Sequence, residues 1–276
     1  MKLKKLKMIR KPQVAGQFYP GSASGLKKQI ESLIEKGQRR EAALGLVSPH
    51  AGYTFSGSVA GACFSRVKLT KTVILLGPNH TGQGTAFSIM TEGAWRTPLG
   101  NVEIDARLAK KILANSKYLQ EDTRAHLDEH SIEVQLPFLQ FFSSELRIVP
   151  IVLSPADFLT YDEIGKAIAK AIKEARENSL IVASSDMSHY ETQEKAKTND
   201  DLAIESILKL DGKGLMERIK RFNITMCGYG PTICMLSAAK DLGAKEGRLI
   251  KYQTSGDILG DYSSVVGYAG IMVKQR

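Results

Sequence analysis

The sequence is poor in the features that mark secreted and membrane-spanning proteins. It has three cysteines among 276 residues, an odd number that does not suit a framework of disulfide bonds. No apolar run approaches the roughly 20 residues that a membrane-spanning helix needs. The basic N-terminus is not followed by the apolar stretch of a signal peptide. These features predict a cytoplasmic protein with reduced thiols and no membrane partner.

Acidic residues are absent from the first 30 positions, and this asymmetry explains most of the positive charge. The formal net charge is +9, and six of the cations lie within the first eleven residues. Without those six, the rest of the chain is close to +3. No later stretch combines basic clusters with aromatic side chains that could stack on bases. We therefore predict a solvated basic tail over residues 1–12 and no nucleic-acid partner.

Internal repeats, low-complexity linkers and breaks in composition are also absent. The chain is 43% hydrophobic and 24% charged, which is typical of a folded globular protein. Short runs rich in β-branched residues alternate with amphipathic helical patterns, as expected for helices packed against a parallel sheet. We predict one α/β domain over residues 13–276, with a central, mostly parallel sheet flanked by helices.

Three of the predicted strands are each followed by a histidine. The strands are predicted at Ala43–Val47, Thr72–Leu76 and Leu180–Ala183. His50, His80 and His189 follow them after short loops. Ligands of open α/β sheets bind beyond the carboxyl ends of the strands, so the three histidines are expected at one edge. Together they predict a metal site or an acid/base site.

Two further side chains extend this predicted site. Cys227 lies in a glycine-rich loop before a helix predicted from Pro231, and free amides at a helix start favour the thiolate that binds metals. Cys63 and Cys234 lie in predicted helices among small or apolar residues, and are expected to be buried thiols. Asp186, three residues before His189, either caps the next helix or orients a general acid/base.

Three residues are candidates for the lining of the pocket. Asn79 directly precedes His80 at the end of its strand. Tyr53 and Trp95 either line the pocket or pack in the core, and the sequence does not separate these alternatives.

A helix predicted from about Ser56, with Gly57 beside it, offers a second kind of site, because the amides of a helix start can bind an anionic group.

A second pair of histidines spells the inverted zinc-peptidase motif, H-x-x-E-H, at residues 126–130. That motif binds zinc when both histidines share one face of a helix. The local pattern predicts instead a helix that starts near His130, with Pro137 kinking or ending it. A zinc peptidase using His126 and His130 is therefore an alternative to the strand-end site.

Motifs along almost the whole chain resemble the Memo family, which is related in fold to the class III extradiol ring-cleavage dioxygenases. They are VAGQFYP at 14–20, SPHAGY at 48–53, LGPNH at 76–80, WRTPLG at 95–100, EHSIEVQLPFL at 129–139, SSDMSH at 184–189, CGYGP at 227–231 and VVGY at 265–268. The resemblance implies a single α/β domain with a shallow site at the strand ends.

The resemblance also implies a single metal ion held by His50, His80 and Cys227. The related dioxygenases hold Fe(II) with two histidines and a carboxylate. Cysteine in place of the carboxylate softens the site and favours copper or another thiophilic metal. The expected metal is iron or copper, with zinc a further option. Asp186 and His189 are then expected in the same pocket.

Two functions follow from the resemblance. His189 falls where the dioxygenases keep an acid/base histidine, and His130 lies in a segment that forms the pocket. This implies a metal-dependent redox or dioxygenase-like protein that acts on a small or peptide-borne aromatic substrate. The alternative is a non-catalytic adaptor whose pocket binds an anionic or phosphorylated peptide, a role described for vertebrate members.

Overall fold

The computed structural model describes residues 8–275, which form one large mixed sheet flanked by helices. The strands are β1 (Ile9–Arg10), β2 (Gly45–Ser48), β3 (Thr72–Pro78), β4 (Phe87–Ile89), β5 (Ala94–Thr97), β6 (Gly100–Ile104), β7 (Gln120–Glu121), β8 (Arg147–Leu153), β9 (Ser179–Ser184), β10 (His189–Glu191), β11 (Glu246–Thr254) and β12 (Val265–Lys274). The helices are α1 (Ala23–Leu33), α2 (Tyr53–Arg66), α3 (Ala106–Asn115), α4 (Arg124–Leu127), α5 (Leu136–Phe142), α6 (Phe158–Ala175), α7 (Gln193–Leu208), α8 (Gly212–Phe222), α9 (Tyr229–Asp241) and α10 (Gly256–Leu259).

The centre of the sheet is parallel, in the order β6-β8-β3-β9-β2. Every residue of β2, β3 and β9 is buried, as expected for apolar strands covered on both faces. Beyond β2, the last two strands pair antiparallel, with β12 lying between β2 and β11. The predicted fold class, a single α/β domain with a central sheet flanked by helices, is confirmed.

This topology brings the three strand-end loops together. Strands β3, β9 and β2 are adjacent and parallel, so their carboxyl ends lie at one edge of the sheet. The loop after β2 carries His50, the loop after β3 carries His80, and the loop after β9 carries Asp186. The predicted convergence of these loops is therefore a property of the sheet.

Pro150 lies in an inner strand of the sheet, although proline has no N–H for the ladder and is usually confined to edge strands and bulges. Strand β8 lies inside the sheet, paired with β3 on one side and with β6 and β4 on the other. The pairing with β6 ends at Ile148 and that with β4 begins at Ile151. On the side of β6 and β4, the Pro150 carbonyl accepts from Met90 N. The N–H of a strand residue points to the same side as its carbonyl, so the N–H that proline lacks would face the gap between β6 and β4. Its absence therefore costs no ladder hydrogen bond.

Two predicted helix boundaries are also wrong. Helix α2 begins at Tyr53 rather than near Ser56, whose amide already donates to the carbonyl of Gly52. Ser56 and Gly57 are therefore buried in the helix and offer no free amides to an anion. Pro137 lies in the first turn of α5 and begins that helix instead of ending it, because an N-terminal proline has no hydrogen bond to lose.

The chain joins the folded domain earlier than the predicted boundary after residue 12. Ile9 and Arg10 pair with β5, and Arg10 is 1% exposed. Residues 1–7 of the predicted basic tail lie outside the described residues. Among residues 8–275, no helix is long and apolar enough to cross a membrane.

Candidate metal centre

Three histidine rings meet at the carboxyl edge of the sheet. The ring centroids of His50 and His80 are 5.2 Å apart, those of His50 and His130 are 5.5 Å apart, and those of His80 and His130 are 4.9 Å apart. One ring nitrogen of each histidine lies within 4.8 Å of those of the other two. His50 is buried, His130 is half-buried and His80 is exposed, so the cluster opens to solvent on one side.

Hydrogen bonds to the outer ring nitrogens orient two of the rings. His50 Nδ1 lies 2.9 Å from Ser184 Oγ, and His80 Nδ1 lies 2.9 Å from Glu129 Oε1. A carboxylate oxygen only accepts hydrogen bonds, so His80 carries its proton on Nδ1 and keeps the Nε2 lone pair free. A carboxylate that holds the outer nitrogen of a histidine is a common arrangement in metal sites.

Glu129 is the residue of this site that the sequence analysis missed. Its buried carboxylate accepts from the amide of His80 at 2.6 Å and from the amide of Ser131 at 2.8 Å. It also lies 3.7 Å from His130 Nδ1. Burial opposes the charge on Glu129, but its interactions with His80, together with the hydrogen bond from the Ser131 amide, outweigh burial and lower the pKa of Glu129 to about 2. Two sequence signals pointed to it, its place in the H-x-x-E-H motif and its place at the start of the motif at 129–139.

Cys227 lies beside the cluster, with its Sγ 3.2 Å from His50 Nε2. The same sulfur accepts a hydrogen bond from the amide of Asp186 at 3.3 Å. Burial, followed by the charge of Asp186, raises the pKa of the Cys227 thiol. This is opposite to the lowering expected from the helix start, since burial outweighs the dipole. A bound metal ion would supply the positive charge that a thiolate needs here.

Asp186 holds the loop of His50. Its Oδ1 accepts from the amide of His50 at 2.7 Å and from the amide of Ala51 at 3.3 Å. Burial raises the pKa of Asp186 to about 6, against the lowering effect of these hydrogen bonds. Thr192 caps the next helix, α7, so Asp186 is not its cap. The hydrogen bonds of Asp186 position the loop of His50, whereas the predicted role was to orient His189.

His189 lies at the margin of the cluster. Its Nδ1 is 2.9 Å from the carbonyl of Thr225, and its amide donates to Thr225 Oγ1 at 2.7 Å. The carbonyl only accepts, so Nδ1 carries the proton and Nε2 remains a proton acceptor. The next residue, Tyr190, is 81% exposed and has a φ of 60°, a conformation that costs a bulky residue about 1–2 kcal/mol.

Two of the three predicted pocket residues pack in the core. The Tyr53 ring lies 4.7 Å from that of Phe138, and its hydroxyl donates to the carbonyl of Val134. Trp95 is fully buried under the guanidinium of Arg10, 4.4 Å from the ring centroid. For both residues, these contacts correspond to the core alternative.

Asn79 and the aromatic residue Phe18 lie nearer to the histidines. The side chain of Asn79 accepts from the amide of Gly82 and donates to the carbonyl of Gln83, so it shapes the loop that carries His80. The ring of Phe18 lies 5.1 Å from that of His130. Phe18 could have been suspected from its place in the motif at 14–20.

The structure contradicts the zinc-peptidase interpretation. Helix α4 ends at Leu127, so His126 and His130 do not share a helix face. His126 is fully buried, with Nε2 2.9 Å from Ser88 Oγ and its ring 6.0 Å from that of Trp95. Burial lowers its pKa to about 3. His126 is a core residue, whereas His130 belongs to the histidine cluster.

The donor set fits a transition metal ion. Burial, followed by the neighbouring histidines, lowers the pKa of His50, and burial likewise lowers that of His130. Both rings are therefore neutral near pH 7, which is the form that binds metals. Imidazole nitrogens beside a sulfur suit iron, copper or zinc far better than magnesium or calcium.

Comparisons with known proteins extend over almost the whole chain. A family model described as "Memo-like protein" matches residues 10–272. A MEMO1 family protein of Methanopyrus kandleri is 45% identical over 282 residues, covering 97% of this chain and 100% of the relative. Another, of Methanosarcina mazei, is 44% identical over 268 residues, covering 96% of this chain and 99% of the relative.

One solved structure shows the same fold in a distant protein. An uncharacterized protein of Escherichia coli K12 aligns with a TM-score of 0.54 at 12% sequence identity, covering 82% of this chain and 98% of that protein. A similarity at 12% sequence identity supports a shared fold but not a shared function.

Proposed function

The chain belongs to the Memo-like family, and we propose that it is a mononuclear metal protein with redox activity toward a small or peptide-borne aromatic ligand. The metal would be held by His50, His80 and Cys227, with His130 as an additional imidazole at the same place. Iron and copper are the proposed metals, and zinc is the alternative without redox chemistry.

The observation that carries the proposal is the convergence of free donor atoms. The three histidines present ring nitrogens within 4.8 Å of one another, and Cys227 Sγ lies 3.2 Å from His50 Nε2. Glu129 and Ser184 hold the opposite nitrogens of His80 and His50. Three imidazoles this close gain little from each other when they are neutral, so a shared ion is the simplest reason for the arrangement.

The remaining residues of the site support a role in proton transfer and ligand binding. A bound iron or copper ion would supply the electron transfer that these side chains lack. His189 keeps Nε2 as a proton acceptor, and we propose that it takes the proton of a ligand hydroxyl. Phe18, against His130, and the exposed ring of Tyr190, beside His189, offer apolar contact to an aromatic ring.

Metal analysis of protein purified without added metal tests the proposal. About one iron or copper per chain is the expected result, and oxidation and reduction of that ion should change the absorption spectrum of the protein. Stoichiometric zinc would support the proposed metal site but refute the proposed redox activity. A metal-free protein that also fails to take up added Fe(II) or copper would refute the site itself.

We predict that Cys227→Ser weakens Cu(I) binding far more than Cys63→Ser or Cys234→Ser does. Cu(I) prefers a thiolate to a hydroxyl, and only Cys227 of the three lies beside the histidines. Cys63 and Cys234 are buried in α2 and α9, with their sulfurs facing the carbonyls of Val47 and Tyr161. Competition with a Cu(I) chelator gives the three affinities, and equal losses would show that Cys227 is not a ligand.

We also predict that Glu129→Gln lowers metal affinity about 10- to 100-fold, the usual cost of removing a carboxylate that orients a metal-binding histidine. The variant amide has one acceptor oxygen and one NH2 donor in place of two acceptor oxygens. It therefore cannot accept from His80 Nδ1, the amide of Ser131 and the amide of His80 as the carboxylate does. Asp128→Asn is the matched control, because Asp128 is exposed and bonds only to Gln83 among the described residues. Similar affinities for both variants in a chelator titration would contradict the role of Glu129.

A further inference from the structure

A basic cavity lies at the end of the parallel strands opposite to the histidines. It has a volume of ≈ 660 Å³, and its wall includes Leu44 just before β2, Thr70 just before β3 and Ser179 at the start of β9. His50 lies six positions after Leu44, across the four residues of β2, which is ~20 Å at 3.3 Å per residue. The basic cavity is therefore separate from the candidate metal centre.

The floor of the basic cavity is apolar and reaches the core. Leu44, Leu69 and Leu242 line it, together with Ile172, which is 5% exposed. Ser179 is 4% exposed, and its hydroxyl has no hydrogen-bond partner among residues 8–275. Buried hydroxyls are normally hydrogen-bonded, so this residue of the cavity wall has a hydrogen bond left to make.

The rim of the basic cavity carries four cations and one carboxylate. The cations are Arg39, Arg40, Lys68 and Lys274, and the carboxylate is Glu41. Among residues 8–275, the lining therefore carries a net charge of +3.

The single carboxylate does not neutralise the rim. Glu41 accepts from Lys274 Nζ at 2.9 Å and from Arg248 Nη2 at 2.6 Å, and these hydrogen bonds lower the pKa of Glu41 to about 2. Arg39 and Lys68 have no acidic partner within the described part of the chain. Two cations at the mouth are therefore free to bind an anion.

We propose that the basic cavity binds a small amphipathic anion, in which a carboxylate or phosphate is carried on an apolar body. The volume lies within the range of small-molecule sites, roughly 300–1,000 Å³. Arg39 and Lys68 would bind the anionic group, Ser179 would donate a hydrogen bond, and the apolar body would cover the leucines of the floor. Neither an inorganic anion nor a neutral apolar molecule would use both parts of the cavity.

Fluorescence titration of the full chain with 1-anilinonaphthalene-8-sulfonate tests the proposal. The double variant Arg39→Ala/Lys68→Ala should bind this anionic probe about tenfold more weakly, which corresponds to two partly exposed charge contacts. Lys27→Ala/Lys28→Ala removes the same charge from the exposed surface of α1 and should leave the affinity unchanged. Equal affinities for the two double variants would overturn the assignment.

Two further titrations decide which part of the ligand is recognised. N-phenyl-1-naphthylamine has a similar apolar body without the sulfonate, and should bind the unmodified protein more weakly than the anionic probe does. Decanoate and decyl phosphate should displace the anionic probe, and the stronger of the two identifies the preferred anionic group. Displacement by inorganic phosphate at the same concentrations, or equal binding of the neutral probe, would refute an amphipathic ligand.

Discussion

The variants His50→Ala and His80→Ala are each expected to lose stoichiometric metal while the protein stays folded. Both rings present a free nitrogen to the cluster, and losing a direct ligand should cost more than the roughly 10–100-fold of an orienting residue. The strands that position these histidines keep their buried apolar residues, such as Val47 and Leu76. Elemental analysis gives the metal-to-protein ratio, and circular dichroism verifies the fold.

Two other histidines serve as controls for this prediction. His126→Ala should keep its metal, because the ring is buried against Trp95 and Ser88 away from the cluster. It should nevertheless lower stability by about 2 kcal/mol or more, as large-to-small changes in a core do. His189→Ala should also keep its metal. Loss of metal from His126→Ala, with full retention in His80→Ala, would contradict the strand-end site.

The largest expected effect on stability belongs to Glu133→Ala. Glu133 is fully buried and pairs with the equally buried guanidinium of Arg10. Its carboxylate also accepts from the hydroxyl of Tyr19 at 2.5 Å and from the amides of Gln13 and Val14. Removing one partner of a buried ion pair leaves an uncompensated charge and typically costs 3–5 kcal/mol. We expect a loss of about that size in the free energy of unfolding, measured by urea denaturation.

A surface ion pair provides the matched control for Glu133. Glu177 pairs with Arg107, and the two side chains are 46% and 53% exposed. Because solvent screens exposed pairs, Glu177→Ala should cost less than about 1 kcal/mol. In addition, Arg10→Met combined with Glu133→Leu should be more stable than Glu133→Ala, since it leaves no buried charge. If Glu133→Ala and Glu177→Ala lowered the free energy of unfolding by similarly small amounts, the buried pair would not be a major contributor to stability.

The sequence by itself determined the fold class and the edge of the sheet at which the candidate site lies. Buried strands such as Thr72–Leu76 can be predicted from local runs of branched apolar residues. When such strands pair in parallel, the residues that follow them lie at one edge of the sheet. His50, His80 and Asp186 could be assigned to that edge because each lies within a few residues of a strand end. Local spacing was sufficient for this part of the prediction.

Only the tertiary structure decided which side chains surround those histidines. Glu129 lies 49 positions from His80, and Arg10 lies 123 positions from Glu133, so no local pattern relates the members of either pair. From the sequence, Trp95 could either pack in the core or line the pocket. Likewise, the histidines of the H-x-x-E-H motif could either bind zinc on a helix or lie in a loop. Packing decided both questions, because burial depends on what the rest of the chain places over a residue, and not on that residue's neighbours in sequence.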